Sequence, residues 1–185
     1  MKRIMVIAVV CMVVALAGPA LAEKAPEKVY TLASSQLAEI GKEPVIVAAV
    51  NAENAKGKSL SSIQAMDDKW KATAGVADYM QALMDNECAR FLKDIQNSNP
   101  HYLEIFVMDN QGANVCQTDK TSDFWQGDEA KFKNSFNNGK GGIFVDEVEF
   151  DDSVQAYISQ VSVPVIDGGR VIGAITFGID IDGVK

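Results

Sequence analysis

The chain has 185 residues, of which 48% are hydrophobic, and its 17 basic and 25 acidic side chains give a net charge of −8 at pH 7. An acidic surface repels phosphate backbones and anionic lipids, which argues against nucleic acid and membrane surfaces as partners. The length is typical of one domain and is sufficient for a hydrophobic core. Net charge does not determine a fold, so the fold is predicted from the elements in chain order.

The N-terminal segment has the pattern of a secretory signal peptide. Lys2 and Arg3 precede an apolar run over residues 4–17, and the segment ends in an Ala-Leu-Ala cleavage pattern. We therefore predict a signal peptide at residues 1–22 and a periplasmic domain at residues 23–185, with a net charge of −10 after cleavage. The apolar run is shorter than the ~20 residues that span a bilayer, so we expect no membrane insertion after cleavage.

The first half of the mature chain shows hydrophobic spacing with a helical period. It predicts a long N-terminal helix kinked near Pro44, and a short helix that begins after an N-cap at Ser59. A third helix is predicted from an apolar stripe over residues 76–95 and ends before Pro100.

The sequence contains three cysteines and one histidine. Cys11 lies in the predicted signal peptide, which leaves Cys88 and Cys116 in a compartment that permits disulfides. These two could pair, but Cys88 continues an apolar stripe, so two buried free thiols are an equally open alternative. With His101 as the single histidine, we expect neither a metal site nor a cofactor.

After the third helix the hydrophobic period changes to two, which predicts strands. The predicted strands are Tyr102–Asp109, Ala113–Thr118, Gly142–Phe150, Val154–Ile166 and Arg170–Ile181. A short helix with an N-cap at Asp128 is expected between the second and third strands. Helices followed by strands predict an α+β fold, with a five-stranded antiparallel sheet preceded by the long helix and two further helices.

The connection between the second and third strands holds a dense cluster of aromatic and polar residues. It is the only long connection in the predicted sheet, and such connections commonly form small-molecule pockets. An aromatic ring can wall a pocket, while hydroxyl, amide and charged groups bind a ligand carboxylate or amine. The candidate ligand-binding residues in this connection are Thr121, Asp123, Trp125, Gln126 and Lys131.

The fourth predicted strand carries a polar stripe. Gln155, Tyr157 and Ser159 alternate along the chain, so they share one face of the strand. Buried polar groups without partners cost about 1–3 kcal/mol each, and a bound polar molecule could supply those partners. We therefore add these three residues to the candidate site, with pairing to the loop or to water as the open alternative. Trp125 could fill space against the sheet instead of lining a pocket. Trp70 could be a core residue or could touch the pocket from the helix side.

Several motifs occur in a characteristic order: EIFVMD, GANVCQT, TSDFWQGDEAKF, SVPV and VIGAITFGIDI, between Glu104 and Asp180. Together with EPVIVAAVNAEN and DDKW in the helical half, this order resembles the extracytoplasmic Cache sensor domain, a PAS-like fold with a long N-terminal helix. The resemblance covers nearly the whole mature chain. It implies that small ligands, often carboxylates, amino acids or amines, bind between the sheet and its covering loops.

The end of the sequence differs from the receptor pattern, in which the last strand continues into a transmembrane helix. Here the given sequence ends at IDIDGVK, just after the last strand. We therefore expect a stand-alone secreted form of this domain that signals through a separate membrane receptor or histidine kinase.

Two functions remain open from the sequence. The first is a soluble periplasmic sensing or binding module for a small organic acid or related metabolite. The second is a ligand-free interaction protein that docks on a membrane receptor or another subunit. A cavity under residues 121–126, lined by Trp125 and Tyr157, would favour the first, and a filled space would favour the second. No GxSxG, HExxH or phosphate-binding glycine motif occurs, so we expect no catalytic activity.

Overall fold

The computed structural model describes residues 23–151 and 154–184, and the predicted signal peptide lies outside these described residues. The helices are α1 (Glu27–Leu32), a π-helical segment (Ala33–Leu37), α2 (Ala38–Ile40), α3 (Pro44–Ala55), α4 (Leu60–Ala72), α5 (Asp78–Asp85), α6 (Glu87–Ser98), α7 (Ala130–Phe136) and a 3-10 turn (Asn137–Gly139). The strands are β1 (Tyr102–Met108), β2 (Asn114–Gln117), β3 (Phe144–Val145), β4 (Glu149–Asp151), β5 (Ala156–Asp167) and β6 (Arg170–Asp180). Within the described ranges, no helix combines the length and apolarity needed to span a bilayer.

The strands form one antiparallel sheet with the order β2-β1-β6-β5-β3, and β4 also pairs with β5. The last strand, β6, therefore lies between β1 and its hairpin partner β5. The β5–β6 hairpin turns at Gly168 and Gly169, whose φ angles of 55° and 84° favour glycine. The predicted α+β fold with an antiparallel sheet is confirmed. The predicted strand Gly142–Phe150 is two short strands, β3 and β4, so the described residues form six strands rather than five.

One face of the sheet, which we call the helix face, is covered by the N-terminal helices and α6. Alternate residues of β5 point to this face and pack with buried residues of α1, the π-helical segment and α3. The buried side chains of this core include Val29, Leu37, Ile46, Val50, Leu92, Val161, Val163, Val165, Ile175 and Phe177. A disulfide between Cys88 and Cys116 joins α6 to β2 in the same core, with a Cα–Cα distance of 5.9 Å. The structure thus contains the disulfide, one of the two alternatives that the sequence left open.

The opposite face of the sheet, which we call the pocket face, is only partly covered. Phe132 and Phe136 of α7 stack on each other with ring centroids 5.2 Å apart, and they pack on Phe106 and Met108 of β1. Beyond α7, this face is bordered by the segment Thr121–Gln126, which we call the pocket loop. The partial cover leaves a cavity.

Two predicted helices are each interrupted once. The long N-terminal helix ends at Ile40 and a new helix begins at Pro44, because the backbone of Gly41 contacts β5: a Cβ on Gly41 would lie 2.3 Å from the carbonyl oxygen of Pro164. The third predicted helix is interrupted at Asn86, which is extended, with ψ at 171°, and whose Oδ1 accepts a hydrogen bond from the Ala89 amide at 2.8 Å. Helical periodicity continues across both interruptions, so hydrophobic spacing alone does not reveal them.

The two predicted N-caps have different outcomes. Ser59 is the N-cap of α4, and its hydroxyl accepts a hydrogen bond from the Ser62 amide at 3.2 Å, as predicted. The predicted N-cap at Asp128 is wrong, because α7 begins one residue later. Glu129 occupies the cap position without a side-chain cap bond, and its carboxylate pairs with Lys131 instead.

Candidate functional site

A cavity of about 560 Å³ lies on the pocket face, between the sheet and the pocket loop. We call it the ligand cavity. Its lining combines the sheet, α4, α7, the pocket loop and β4. The lining residues are Trp70, Lys71, Glu104, Phe106, Lys120, Thr121, Ser122, Gln126, Lys131, Phe150, Asp151 and Gln160.

A hydrogen-bonded chain crosses the floor of this cavity. Lys131 Nζ donates to Gln160 Oε1 at 2.9 Å, and Gln160 Nε2 donates to Glu104 Oε1 at 3.0 Å. Glu104 and Gln160 are at even-numbered positions of β1 and β5, and the helix-face core of β5 uses the odd-numbered positions. The amide of Gln160 therefore connects a cation and a carboxyl group that have no direct bond to each other.

The two charged ends of this hydrogen-bonded series, Glu104 and Lys131, have different surroundings. Burial raises the pKa of the Glu104 carboxyl, and the hydrogen bond from Gln160 and the charge of Lys131 only partly oppose this effect. Lys131 also pairs with Glu129 at 2.8 Å, and its Nζ lies 5.5 Å from the ring centroid of Phe106. The cavity floor thus contains a carboxyl group whose ionised form is disfavoured by its surroundings.

The pocket loop is held in place by a single carboxylate of α4. Asp67 Oδ1 accepts hydrogen bonds from the amides of Phe124 and Trp125 at 2.8 and 3.0 Å.

Lys71 bridges Asp67 and Asp123, at 2.6 and 2.9 Å. Hydrogen bonds to the two carboxylates raise the pKa of Lys71. Burial alone would raise the pKa of Asp123, but the hydrogen bonds from Lys71 and Ser122 lower it below its usual range. The loop conformation therefore depends on α4.

Two further contacts join the pocket loop region to α4 and the segment after it. The buried Trp70 indole donates to the carbonyl of Thr121 at 2.8 Å. Lys120 Nζ donates to the carbonyls of Thr73 and Gly75 at 2.9 and 2.7 Å. The start of the loop is thus attached to the helical half of the chain, in addition to the Asp67 bonds nearer its end.

Buried amide side chains surround the pocket loop. Asn114 Nδ2 donates to Gln117 Oε1 at 3.0 Å and to Thr121 Oγ1 at 2.9 Å, and Gln126 Nε2 donates to the carbonyl of Asp123 at 2.9 Å. Within the described part of the chain, Asn114 Oδ1, Gln117 Nε2 and Gln126 Oε1 are buried and have no hydrogen-bond partner. Such groups are rare in folded proteins, and each one requires an explanation. Gln126 lines the ligand cavity, so a ligand is one candidate partner for its Oε1.

The structure places three of the five predicted residues of the connection in the cavity lining: Thr121, Gln126 and Lys131. Asp123 and Trp125 do not line it. The Asp123 carboxylate bonds to Lys71 and Ser122. The Trp125 indole donates to the carbonyl of Gln111 at 2.8 Å and so packs on the β1–β2 turn. The predicted wall made by Trp125 is therefore corrected to an attachment of the loop to this hairpin.

The predicted polar stripe does not line the ligand cavity either. Ser159 donates to the carbonyl of Asp146 at 2.7 Å, and Tyr157 is 56% exposed. Both lie on the face of β5 opposite to Gln160, because side chains alternate along a strand. Gln155 precedes β5 in a left-handed conformation with φ at 53°. Gln155 and Tyr157 are exposed near the start of β5, whereas Ser159 is buried, and the prediction placed the stripe on the wrong face.

Residues that the sequence reasoning did not assign to the site supply much of the lining. The main ones are Glu104, Phe106 and Gln160 on the strands and Trp70 and Lys71 on α4. One signal was available, because Glu104 is an acidic residue inside an otherwise apolar strand. Among residues 23–151 and 154–184, no group of three His, Cys, Asp or Glu side chains could hold a metal ion.

No family model and no curated protein matches the sequence. Among solved structures, the chain is similar to the sensor domain of the V. cholerae histidine kinase DctB, with 14% identity, a TM-score of 0.50 and coverage of 84% of this chain and 51% of that chain. It is also similar to the sensory domain of the Campylobacter jejuni chemoreceptor Tlp3 with isoleucine bound, with 16% identity, a TM-score of 0.42 and coverage of 85% and 62%.

The chain thus spans about half the length of the DctB sensor domain structure and about three fifths of the Tlp3 structure. The two neighbours are described as a sensor domain and a sensory domain. The chain has the PAS-like fold of the Cache-type extracytoplasmic sensor domains.

Proposed function

We propose that the protein is a sensing or binding module for a small organic acid or related metabolite, which occupies the ligand cavity. The observation that carries this proposal is a cavity of about 560 Å³ with a buried, unpartnered acceptor, Gln126 Oε1, in its lining. Pockets of about 300–1,000 Å³ with a few convergent polar groups are typical of small-molecule sites. A ligand that donates an N–H or O–H group would satisfy the buried oxygen.

The charges of the lining support a carboxylate group in the ligand. Three lysines and two acidic residues line the cavity, a positive balance in a protein whose net charge is −8. An ammonium group has three donors, and two acceptors are found for each of these lysines among the described residues. Each of these lysines therefore has one further N–H group that could donate to a ligand carboxylate. Lys131 is the main candidate because its side chain is only 11% exposed, which strengthens a charge-assisted bond.

The remaining parts of the proposal concern location and output. The signal peptide pattern in residues 1–22 supports a periplasmic location. The V. cholerae neighbour is described as the sensor domain of a histidine kinase, and the C. jejuni neighbour as that of a chemoreceptor. We propose that this chain passes ligand binding to a partner of one of these kinds.

Calorimetric titration with a panel of small mono- and dicarboxylates, with the corresponding amides as uncharged analogues, tests the proposal. At least one carboxylate should bind saturably and should bind more tightly than its amide. Lys131→Met should weaken this binding at least tenfold, whereas Lys133→Met, two residues along α7 and exposed, should not change it. The proposal fails if no carboxylate binds to the wild-type protein, or if both variants weaken binding equally.

One observation favours the second function, docking on a partner without a ligand. Phe150 and Tyr157 are about half exposed and pack edge to face with ring centroids 5.2 Å apart, and Phe150 lines the ligand cavity. Exposed aromatic pairs are common at protein interfaces. If docking is the sole function, Tyr157→Ala should abolish capture of the partner receptor and no carboxylate should bind.

A further inference from the structure

A second, smaller cavity of about 200 Å³ lies between the end of α3, α4, α5 and β2. Its walls include the buried indole of Trp70, which also lines the ligand cavity. The two cavities therefore share one side chain but have otherwise different linings. The function proposed above does not use this second cavity.

The walls of the second cavity are mainly aromatic and apolar. The ring centroids of Trp70 and Phe124 are 5.8 Å apart, and those of Trp70 and Tyr79 are 6.1 Å apart. Met66 and Leu83 complete the apolar lining. Such walls favour a flat apolar body, since aromatic rings gain from offset or edge contacts with another ring.

One polar side chain of the lining has an unpaired atom. Asn114 lines the second cavity and is 2% exposed, and its Oδ1 has no hydrogen-bond partner among the described residues. Its Nδ2 is engaged with Gln117 and Thr121 at 3.0 and 2.9 Å, so the orientation of the amide is determined by these acceptors. The side chain therefore offers an acceptor and needs a donor.

The charged groups at this cavity are paired with one another, with one glutamate between two lysines. Glu53 pairs with Lys58 at 2.6 Å and also with Lys56. Lys58 Nζ lies 6.0 Å from the ring centroid of Phe124, so a cation already occupies the cation–π position. A cationic ligand would meet this cation and a second lysine, whereas an uncharged molecule needs no counter-charge.

We propose that the second cavity is a binding site for a small uncharged molecule with one aromatic ring and a single O–H or N–H donor, which donates to Asn114 Oδ1. The size is suitable, because an apolar cavity of roughly 150 Å³ is known to hold benzene. The bound ring would contact Trp70 and Phe124, whose main chain belongs to the pocket loop. The proposal is independent of which ligand occupies the larger cavity.

Phenol and benzene are matched probes, because they differ only in the donor. In solution titrations followed by the ¹H–¹⁵N NMR signals of the purified protein, phenol should bind saturably and benzene should bind roughly tenfold more weakly. A crystal soaked in phenol should show the ring in the second cavity, with its hydroxyl within hydrogen-bond distance of Asn114 Oδ1. Equal affinities, no saturation by phenol, phenol in the ligand cavity instead, or ordered water alone in the second cavity would each overturn the proposal.

A filling variant provides a second test in solution. Leu83→Trp should place additional side-chain volume in the cavity and abolish phenol binding, whereas Leu60→Trp, at a position of α4 that is 45% exposed, should leave it unchanged. Unchanged phenol affinity in a folded Leu83→Trp protein would contradict the proposed location. If that variant does not fold, the phenol-soaked wild-type crystal decides the question.

Discussion

The two faces of the sheet differ in how their buried space is filled. On the helix face, apolar side chains of the helices and of β5 form one continuous buried cluster, which includes Ile46 and Val163. On the pocket face, α7 covers one part with Phe132, and the rest is a cavity with a half-buried carboxyl group and an unpaired buried amide oxygen. The same strands therefore supply a stable support on one side and an incompletely satisfied site on the other.

The difference indicates where free energy of folding and binding specificity originate. Burial of apolar surface supplies most of the favourable free energy of folding, so the helix face should dominate stability. Unpaired buried polar groups destabilise the unliganded protein and are satisfied only when a partner arrives. Changes on the two faces should therefore have different effects on stability and binding.

Truncation of the helix-face core should have the largest effect on stability. Ile46→Ala removes a fully buried side chain and should lower the free energy of unfolding by about 4 kcal/mol. The comparison change in the cavity lining, Phe150→Ala, removes a side chain that is 49% exposed and should cost under about 1 kcal/mol. Urea unfolding measures both values. Similar losses for the two variants would remove the distinction between the faces.

Loss of the disulfide should rank second. The pairing of Cys88 with Cys116 closes a loop with a sequence separation of 28, which should stabilise the fold by roughly 3–4 kcal/mol through the entropy of the unfolded chain. The double variant Cys88→Ala and Cys116→Ala should unfold at a correspondingly lower urea concentration. Wild-type protein kept in reductant should behave similarly. A double variant as stable as the oxidised wild type would show that the covalent link contributes nothing.

Removal of the carboxylate that holds the pocket loop should have an intermediate effect. Asp67→Ala leaves the amides of Phe124 and Trp125 without their acceptor and should cost about 2 kcal/mol. Hydrogen exchange of these two amides should become faster. Asp68→Ala changes an exposed neighbour on the same helix and serves as the control, with no expected effect on either measurement. Unaltered exchange in Asp67→Ala would mean that the loop is held by other contacts.

The smallest effect should be a pH dependence of stability with opposite signs at two carboxyl groups. The pKa of Glu104 is raised in the folded protein, so its ionised form destabilises the fold, and stability from this group increases as the pH falls through its folded pKa. Glu104→Gln should therefore be more stable than the wild type at pH 7. The difference in stability between the two proteins should decrease as the pH is lowered.

The pKa of Asp123 is lowered, so its contribution is present above its unfolded pKa and is lost as the pH falls through its folded pKa. Asp123→Asn should accordingly be less stable than the wild type at pH 7. Thermal unfolding between about pH 2 and 8 extends below the usual Asp pKa of 3.8 and so measures both variants, and shifts of the same sign in both at pH 7 would contradict these assignments.

The sequence predicted the order and type of the elements well because hydrophobic period reports burial on one side of an element. It predicted a kink near Pro44, but not that one helix ends at Ile40 and a new one begins at Pro44, and it did not predict the interruption at Asn86, because an extended residue leaves the apolar spacing intact. It also did not predict the pocket face of β5. A polar stripe at the open end of a strand and a polar pocket lining have the same alternating pattern, and only the position of the covering helices distinguishes them.

The site was predicted in part for a related reason. Thr121 and Gln126 line the cavity as expected, because they belong to the connection that borders the sheet. Trp125 turns to the β1–β2 hairpin because its indole finds the carbonyl of Gln111, a contact between distant residues that the sequence does not encode locally. Lys71 and Trp70 were not assigned to the site because their role depends on how α4 packs on the loop.

The attachment of the pocket loop to Asp67 has a mechanical consequence. Two consecutive loop amides bond to one oxygen of one α4 side chain, and the Trp70 indole holds the start of the same loop. If α4 slides along its axis or rotates about it, the pocket loop should therefore move with it. Any molecule that pulls the loop towards the sheet would, by the same bonds, displace α4 at the outer surface of the protein.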